Sequence, residues 1–246
     1  MNNPIPTISI PHLSIAFAPV VVVLILQFRW RTNGPKAVYA LARMLIQLAL
    51  IGYVLEIIFE SDNALIVISV LTIMLLAASW ISLHSVRQGR KKVLIKAFMA
   101  ITVGAVPTLI IISQFVLDLN VWYQPRFVIP LAGMIFASAM NSVSLAAERF
   151  ESEKDRGALY AQARQTAFNA ALIPITNSLF AVGLVSLPGM MTGQILGGTE
   201  PLIAARYQVL VMAMVFSAAG ISAACYLAML QPKLRAGTGQ PAPDHH

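Results

Sequence analysis

The sequence predicts an all-α, polytopic membrane protein, and three observations carry that prediction. First, 58% of the 246 residues are hydrophobic and only 11% are charged, whereas a soluble domain carries about 25% charged residues. Mean hydropathy is +0.75. A soluble core burying this much apolar surface would leave too few charges to solvate its exterior, and a disordered chain needs the opposite composition. Second, apolar runs close to the roughly 20 residues of a spanning helix recur at 8–28, 37–59, 63–84, 97–117, 127–147, 170–196 and 203–230. Third, no stretch alternates with period two over the roughly ten residues of a membrane-barrel strand. About seven transmembrane helices are expected, in a single transmembrane domain over 1–246.

Polar punctuation separates the runs. The first has no basic region before it and no small-residue cleavage site after it, so it reads as a retained helix and not a signal peptide. Residues 29–36 make a tight basic turn and residues 60–63 an acidic one. The loop at 87–96 holds five basic residues and no acid, 118–126 mixes polar and aromatic residues, and 148–169 is the longest polar segment. Gly197-Gly198-Thr199-Glu200-Pro201 reads as a turn, and the tail from Gln231 as frayed. The segments 29–36, 87–96, 148–169 and the tail hold 14 of the 17 Lys and Arg residues; the opposite side holds Arg126 and Arg206 alone. Basic loops stay cytoplasmic, so the N-terminus is expected outside and the C-terminus in the cytoplasm. The net charge of +7 is thereby assigned to topology and lipid, and no nucleic-acid partner is expected.

Several chemistries are absent from the pattern. No Gly-x-x-x-x-Gly-Lys-Ser/Thr loop is present to cradle nucleotide phosphates, and no Gly-x-Ser-x-Gly elbow. The four histidines, His12, His84, His245 and His246, lie at no metal-ligand spacing with Cys or carboxylates. Cys225 is the sole cysteine, which excludes an intrachain disulfide. Neither catalytic residues nor a metal site are expected.

Polar residues at membrane depth are the candidates for a substrate pathway, because they are costly there. In the second span these are Arg43, Gln47 and Glu56. Arg43 and Gln47, four apart, share one helix face and are expected to point into the bundle or a dimer cavity; the plainer reading is that Arg43 snorkels to the cytoplasmic surface and Glu56 to the opposite one. In the fifth span Gly133, Ala137, Ser138, Asn141, Ser142 and Ser144 recur at three- and four-residue spacing. Small faces let membrane helices approach, but the Asn141 amide still needs a partner. Asn177 lies in the sixth span. That span is interrupted at 186–194, where Pro188 removes a donor and Gly189 and Gly193 loosen the backbone; Ser186, Pro188, Gly189, Met190, Met191 and Thr192 are therefore candidates for a polar opening near the outer mouth. The two methionines are soft enough to ligate a metal, although packing explains two adjacent Met without His or Cys. Within 148–169, Asp155-Arg156-Gly157 reads as a turn into a short amphipathic helix at about 158–168, which either lies on headgroups or docks into a partner.

Taken together, certain motifs resemble a known family. They are Arg43…Gln47-Leu48…Gly52-Tyr53…Phe59, Ile129-Pro130-Leu131-Ala132-Gly133-Met134-Ile135, Met140-Asn141-Ser142-Val143-Ser144-Leu145 and Ala171-Leu172-Ile173-Pro174. The most specific is the run from Val182 to Leu196, with Leu184-Val185-Ser186-Leu187-Pro188-Gly189-Met190-Met191-Thr192-Gly193 at its centre; Pro201 and Arg206-Tyr207-Gln208 follow. Over roughly residues 10–230 the chain resembles the FetB family of ABC transporter permeases, which includes the plant aluminium-sensitivity membrane proteins. The resemblance implies a non-enzymatic permease in the inner membrane, active as a homodimer and driven by a separate ATP-binding subunit that carries ATP-Mg, with no cofactor in this chain. It makes the cytoplasmic segment a coupling helix, with Gly157, Ala163, Arg164 and Ala167 as the docking candidates. It also implies metal export, iron above all, with a nucleotide sugar as the non-metal substrate. Rival readings are an ATP-independent carrier or channel gated by Glu56 or Arg43, and a membrane scaffold without transport.

Overall fold

The computed structural model describes residues 8–60, 63–84, 86 and 90–231. Residues 61–62, the 87–89 portion of the basic loop and the tail after Gln231, with Lys233, Arg235, His245 and His246, lie outside the described residues. The helices are α1 (Ile10–Ile15), α2 (Ala18–Arg29), α3 (Gly34–Phe59), α4 (Ala64–Ser82), α5 (Arg90–Ile110), α6 (Pro125–Asp155), α7 (Tyr160–Ala181), α8 (Gly189–Leu196) and α9 (Pro201–Met229); a π-helical turn (Ile111–Val116) extends α5. No strand forms among the described residues.

Local chemistry sets the boundaries. Proline occupies the first turn of α1, α2, α3, α6 and α9, where its missing N–H is an orphan anyway and its fixed φ suits the helix. Asn63 caps α4 by accepting from the Leu65 N–H at 2.9 Å. Gly157, at φ +83°, ends α6 in the left-handed conformation that glycine adopts most cheaply, with the Ala158 N–H donating to the Glu153 carbonyl at 3.1 Å. Inside the helices hydroxyls bond back onto their own backbone: Ser79 to the Leu75 carbonyl, Thr102 to Phe98 and Thr108 to Gly104, all at 2.7–2.8 Å.

Six helical stretches are long and apolar enough to cross a membrane: Ile10–Arg29, Gly34–Phe59, Ala64–Ser82, Val93–Val116, Pro125–Asp155 and Pro201–Met229. The remaining run expected to span, 170–196, is not among these six and is not one helix. α7 starts at Tyr160, so the amphipathic segment expected to lie apart at 158–168 is instead the first half of α7 itself. α7 stops at Ala181, the chain bends through 182–188, and the short α8 follows. The interruption therefore falls earlier than the 186–194 expected, and residues 189–196 are helical. The cause is Gly183 at φ +83°, five residues before Pro188, the first of the conspicuous helix breakers. The N–H groups of Leu184, Val185 and Ser186 all turn back to the Ala181 carbonyl, closing a tight cap.

The bundle core lies among α4, α5, α6, α7 and α9. α9 runs along both α5 and α6, and α6 along α7. Small residues form the seams. Ala163, Ala167 and Ala171 recur every four residues on α7, and Ala132, Ala139 and Ala146 every seven on α6, all of them buried. Such spacing keeps a small face toward the neighbouring helix. Larger side chains fill between them, among them Ile101, Ile135, Val143, Met214 and Leu227. The tightest crossing joins Gly104 of α5 to Ser222 of α9. α1 and α2 contribute no buried residue, and α3 contributes only Gly34 and Ile58. Within one chain these three helices form an outlying arm, with α3 packed on α2 and touching α6 only lightly.

A cleft at the broken helix as candidate functional site

Helix lengths locate the break. At 1.5 Å per residue α6 spans about 46 Å and α7 about 33 Å. The two meet at the end where Phe150 of α6 packs edge-to-face on Tyr160 of α7, with ring centroids 5.9 Å apart. α7 must then stop about 13 Å short of the end where α6 begins at Pro125. The bend thus lies alongside α6, one of the helices able to cross a membrane; in such a setting freed backbone groups are tolerated only against protein or a cavity.

A cavity is there. A cleft of about 520 Å³ opens between α6, α7, the bend and α9. α6 supplies Met134, Ser138, Asn141, Ser142 and Leu145; the bend supplies Val182, Ser186 and Pro188. Pro174 of α7 and Met212 of α9 complete its walls. Pro174 has no N–H to give the Ala170 carbonyl, which loosens α7 where it borders the cleft. The wall is stitched by hydroxyls: Ser142 donates to the Ala171 carbonyl at 3.3 Å, Ser138 to Val215 at 2.9 Å and Ser178 to Pro174 at 3.0 Å. The Asn141 side chain, by contrast, is exposed and faces the open volume. Hydroxyls, one amide and thioethers line this cleft, and no ionisable side chain does.

The sequence candidates distribute unevenly about it. Asn141, Ser186 and Pro188 come together in the cleft. Asn177 is exposed on α7 outside its lining. Met190 and Met191 diverge: Met190 borders a second cavity beside α6, and Met191 a largely apolar one between α7 and α9. They are not a paired ligand set. Gly189 begins α8, and the Thr192 hydroxyl is spent on the Pro188 carbonyl at 3.2 Å, so neither lines the cleft. Arg43, Gln47 and Glu56 lie exposed on α3; within one chain Arg43 and Gln47 do not turn into the bundle, because α3 has almost no bundle neighbours, so of the two settings expected for them only a dimer cavity is left. Among the described residues no cluster of His, Cys, Asp or Glu has the composition of a metal site.

At the opposite end Gly157 forms the turn into α7. Ala163 and Ala167, expected on the docking face, are instead fully buried. The α7 face left open carries Gln162, Arg164 and Gln165, which with Phe168 and Leu227 rim a shallow cavity of about 490 Å³. Arg164 lies 5.5 Å over the Tyr160 ring, and the Tyr160 hydroxyl donates to the Leu227 carbonyl at 2.9 Å, fastening α7 to the last turn of α9. Tyr160→Phe is expected to cost about 1 kcal/mol, read as a small fall in the apparent Tm of the purified protein.

Comparison with known proteins places this architecture. The sequence profile described as uncharacterised protein family UPF0014 matches residues 10–234. The chain belongs to the UPF0014 family. Among similar UPF0014 relatives are the probable iron export permease protein FetB of Escherichia coli, 36% identical over 87% of this chain and 88% of its own length, and a UPF0014 membrane protein of Synechocystis, 34% identical over 77% and 79%. The Arabidopsis protein ALUMINUM SENSITIVE 3 is 32% identical over 76% of this chain and 72% of its own length. No solved structure matches the chain. This UPF0014 chain is thus a multi-pass membrane protein.

Sequence reasoning missed several residues of the site. Met212 and Ser178 gave no periodic signal that separates them from packing residues. Gln208, which borders the apolar cavity between α7 and α9 and not the cleft, did give one, as a lone amide in the apolar α9. It is 4% exposed, and its Oε1 has no hydrogen-bond partner. Where a buried amide is unsatisfied, an apolar replacement of similar shape is neutral or stabilising. Gln208→Met is therefore expected to leave Tm unchanged or raised; a lower Tm would show that the amide has a structural partner.

Proposed function

We propose that this chain is the membrane-spanning permease subunit of an ABC transporter, driven by a separate ATP-binding subunit that carries ATP-Mg, and that the cleft at the broken helix is its substrate pathway. The observation that carries the reading is the interruption between α7 and α8, which opens a volume where serine hydroxyls and the Asn141 amide stand among apolar residues, within a UPF0014 chain. Broken helices mark substrate sites in membrane transporters because they present backbone and small polar groups that a continuous helix keeps to itself. Membership beside a relative named as a probable iron export permease supports metal export, iron in particular, as the activity. The Lys and Arg distribution supports an N-terminus outside, a cytoplasmic C-terminus and residence in the bacterial inner membrane. The exposed arm α1–α3, with Arg43 and Gln47, is the surface that a homodimer would cover.

The chemistry of the cleft favours a second substrate class within the same reading. Its wall offers hydrogen bonds without a carboxylate, which suits an organic solute such as a nucleotide sugar better than a naked cation. The experiment is to co-express the chain with ABC ATP-binding subunits from the same cell and purify through a tag on the permease. A stable complex with ATP hydrolysis stimulated by substrate is the expected result. Asn141→Leu should reduce that stimulation about tenfold while leaving complex formation intact, since a hydrogen bond contributes about 1 kcal/mol or more where its loss strands a partner. Transport by the permease alone in vesicles would overturn the reading in favour of an ATP-independent carrier.

A further inference from the structure

A second cavity, of about 360 Å³, lies where α6, α8 and α9 meet near the Pro125 end. Its polar lining is Arg126, Gln194, Thr199 and Tyr207; Phe127, Pro130, Met134 and Met190 are among its apolar walls. Three features set it apart from a packing defect. Arg126, itself exposed, is the one charged residue on its wall, and among the described residues it has no carboxylate partner: Asp118 and Glu200 are each next in sequence to a lining residue, but neither borders the cavity nor pairs with the guanidinium. The Gln194 Oε1 is buried with no hydrogen-bond partner, and a buried polar atom left so is costly unless something fills the position. Pro130, which cannot donate to the Arg126 carbonyl, removes one helical bond from the same wall.

We infer that this cavity is a binding site for a small organic anion that also carries hydroxyl groups, with Arg126 as its charge partner. A guanidinium presents paired donors in a fork that fits a carboxylate or phosphate. The Gln194 oxygen accepts from a ligand hydroxyl, and the Thr199 and Tyr207 hydroxyls either donate or accept. Met134 borders both this cavity and the cleft at the broken helix, so the two volumes share a wall. The site is therefore placed to take an anion passing to or from the cleft, and the assignment does not depend on the ATPase reading. The same chemistry, an anionic oxygen group beside hydroxyls, occurs on soluble hydroxy acids and sugar phosphates and on the headgroup of phosphatidylglycerol.

The test measures binding to the purified full chain without nucleotide or ATPase. Citrate and glucose 1-phosphate are titrated calorimetrically into protein in neutral detergent, and retention of phosphatidylglycerol against phosphatidylcholine is read by native mass spectrometry from nanodiscs of each lipid. Saturable binding of either soluble probe assigns the site to a soluble anion. Selective retention of phosphatidylglycerol alone assigns it to a headgroup. In both cases Arg126→Gln should weaken binding about tenfold or more, Arg126→Lys less, and Arg206→Gln, on the same side but off the cavity wall, not at all. The inference is overturned if no probe binds, or if Arg126→Gln binds as the unaltered chain does. Arg126→Lys keeps the charge and the fold, so it separates loss of the site from loss of the protein.

Discussion

Gly104→Ala is expected to cost about 3 kcal/mol and to lower the recovery of folded protein sharply, although it adds one methyl group. A Cβ at this position on α5 would collide with the Ser222 Oγ and lie 2.7 Å from the Ser222 backbone nitrogen and 3.0 Å from the Ala218 carbonyl oxygen of α9. The hydroxyl has a rotamer to escape into, but the backbone atoms do not, so α5 and α9 must separate along their whole contact. Overpacking of a close-packed interior costs about 1–3 kcal/mol, and a clash with backbone belongs at the upper end. Gly133→Ala is the control. Its Cβ would meet only the Met74 Cε, at 3.5 Å, an ordinary contact with the tip of a flexible side chain. The two variants should therefore differ widely in apparent Tm, measured by thermal loss of the monodisperse peak in detergent. Equal melting of the two would refute the close crossing of α5 and α9.

Most of the fold was legible because membrane insertion imposes a length and a hydropathy that a sequence cannot hide. The runs at 37–59, 63–84 and 203–230 correspond to α3, α4 and α9 within a few residues. The differences lie where polar residues sit on a helix that continues past the apolar run. Residues 148–155 extend α6, and 160–168 begin α7, because each buries a face of its own: Phe150 on the first, Ala163 and Ala167 on the second. Hydropathy reports what lipid would accept, and it is silent about a polar helix stabilised by tertiary packing. The break illustrates the same limit. Pro188 and Gly189 were conspicuous, yet proline and glycine are also good residues for starting a helix, and here they start α8. The interruption itself depends on Gly183, whose positive φ is a property of the backbone that composition does not announce. In the candidate site, Asn141 and Ser186 were legible as polar groups at membrane depth. Arg126 was visible too, but only as one of two basic residues on the sparsely charged side. Its neighbours Gln194, Thr199 and Tyr207 come from α8, the loop after it and α9, and only the folded bend brings them to α6.

The second large effect is expected from Ala163→Glu, and it separates folding from coupling. Ala163 is 0% exposed and belongs to the core seam of α7. A glutamate there must either bury an unpaired carboxylate or push α7 away from its neighbours. Both are severe, and burial of an unpartnered charge is among the few single changes that cost about 4 kcal/mol or more. The expected outcome is loss of monodisperse protein, with coupling to an ATPase lost only as a consequence. Gln165→Glu is the informative counterpart, since Gln165 is exposed on the open face of the same helix turn. It should leave yield and Tm within about 0.5 kcal/mol of the unaltered chain. If this face docks in the partner subunit, the new charge should nonetheless reduce substrate-stimulated ATP hydrolysis by the complex. Measuring both variants for monodispersity and for ATPase stimulation fixes which face of α7 couples. A folded but uncoupled Ala163→Glu protein would place the docking surface on the face that here packs into the bundle, and α7 would then have to rotate about its axis in the assembled transporter.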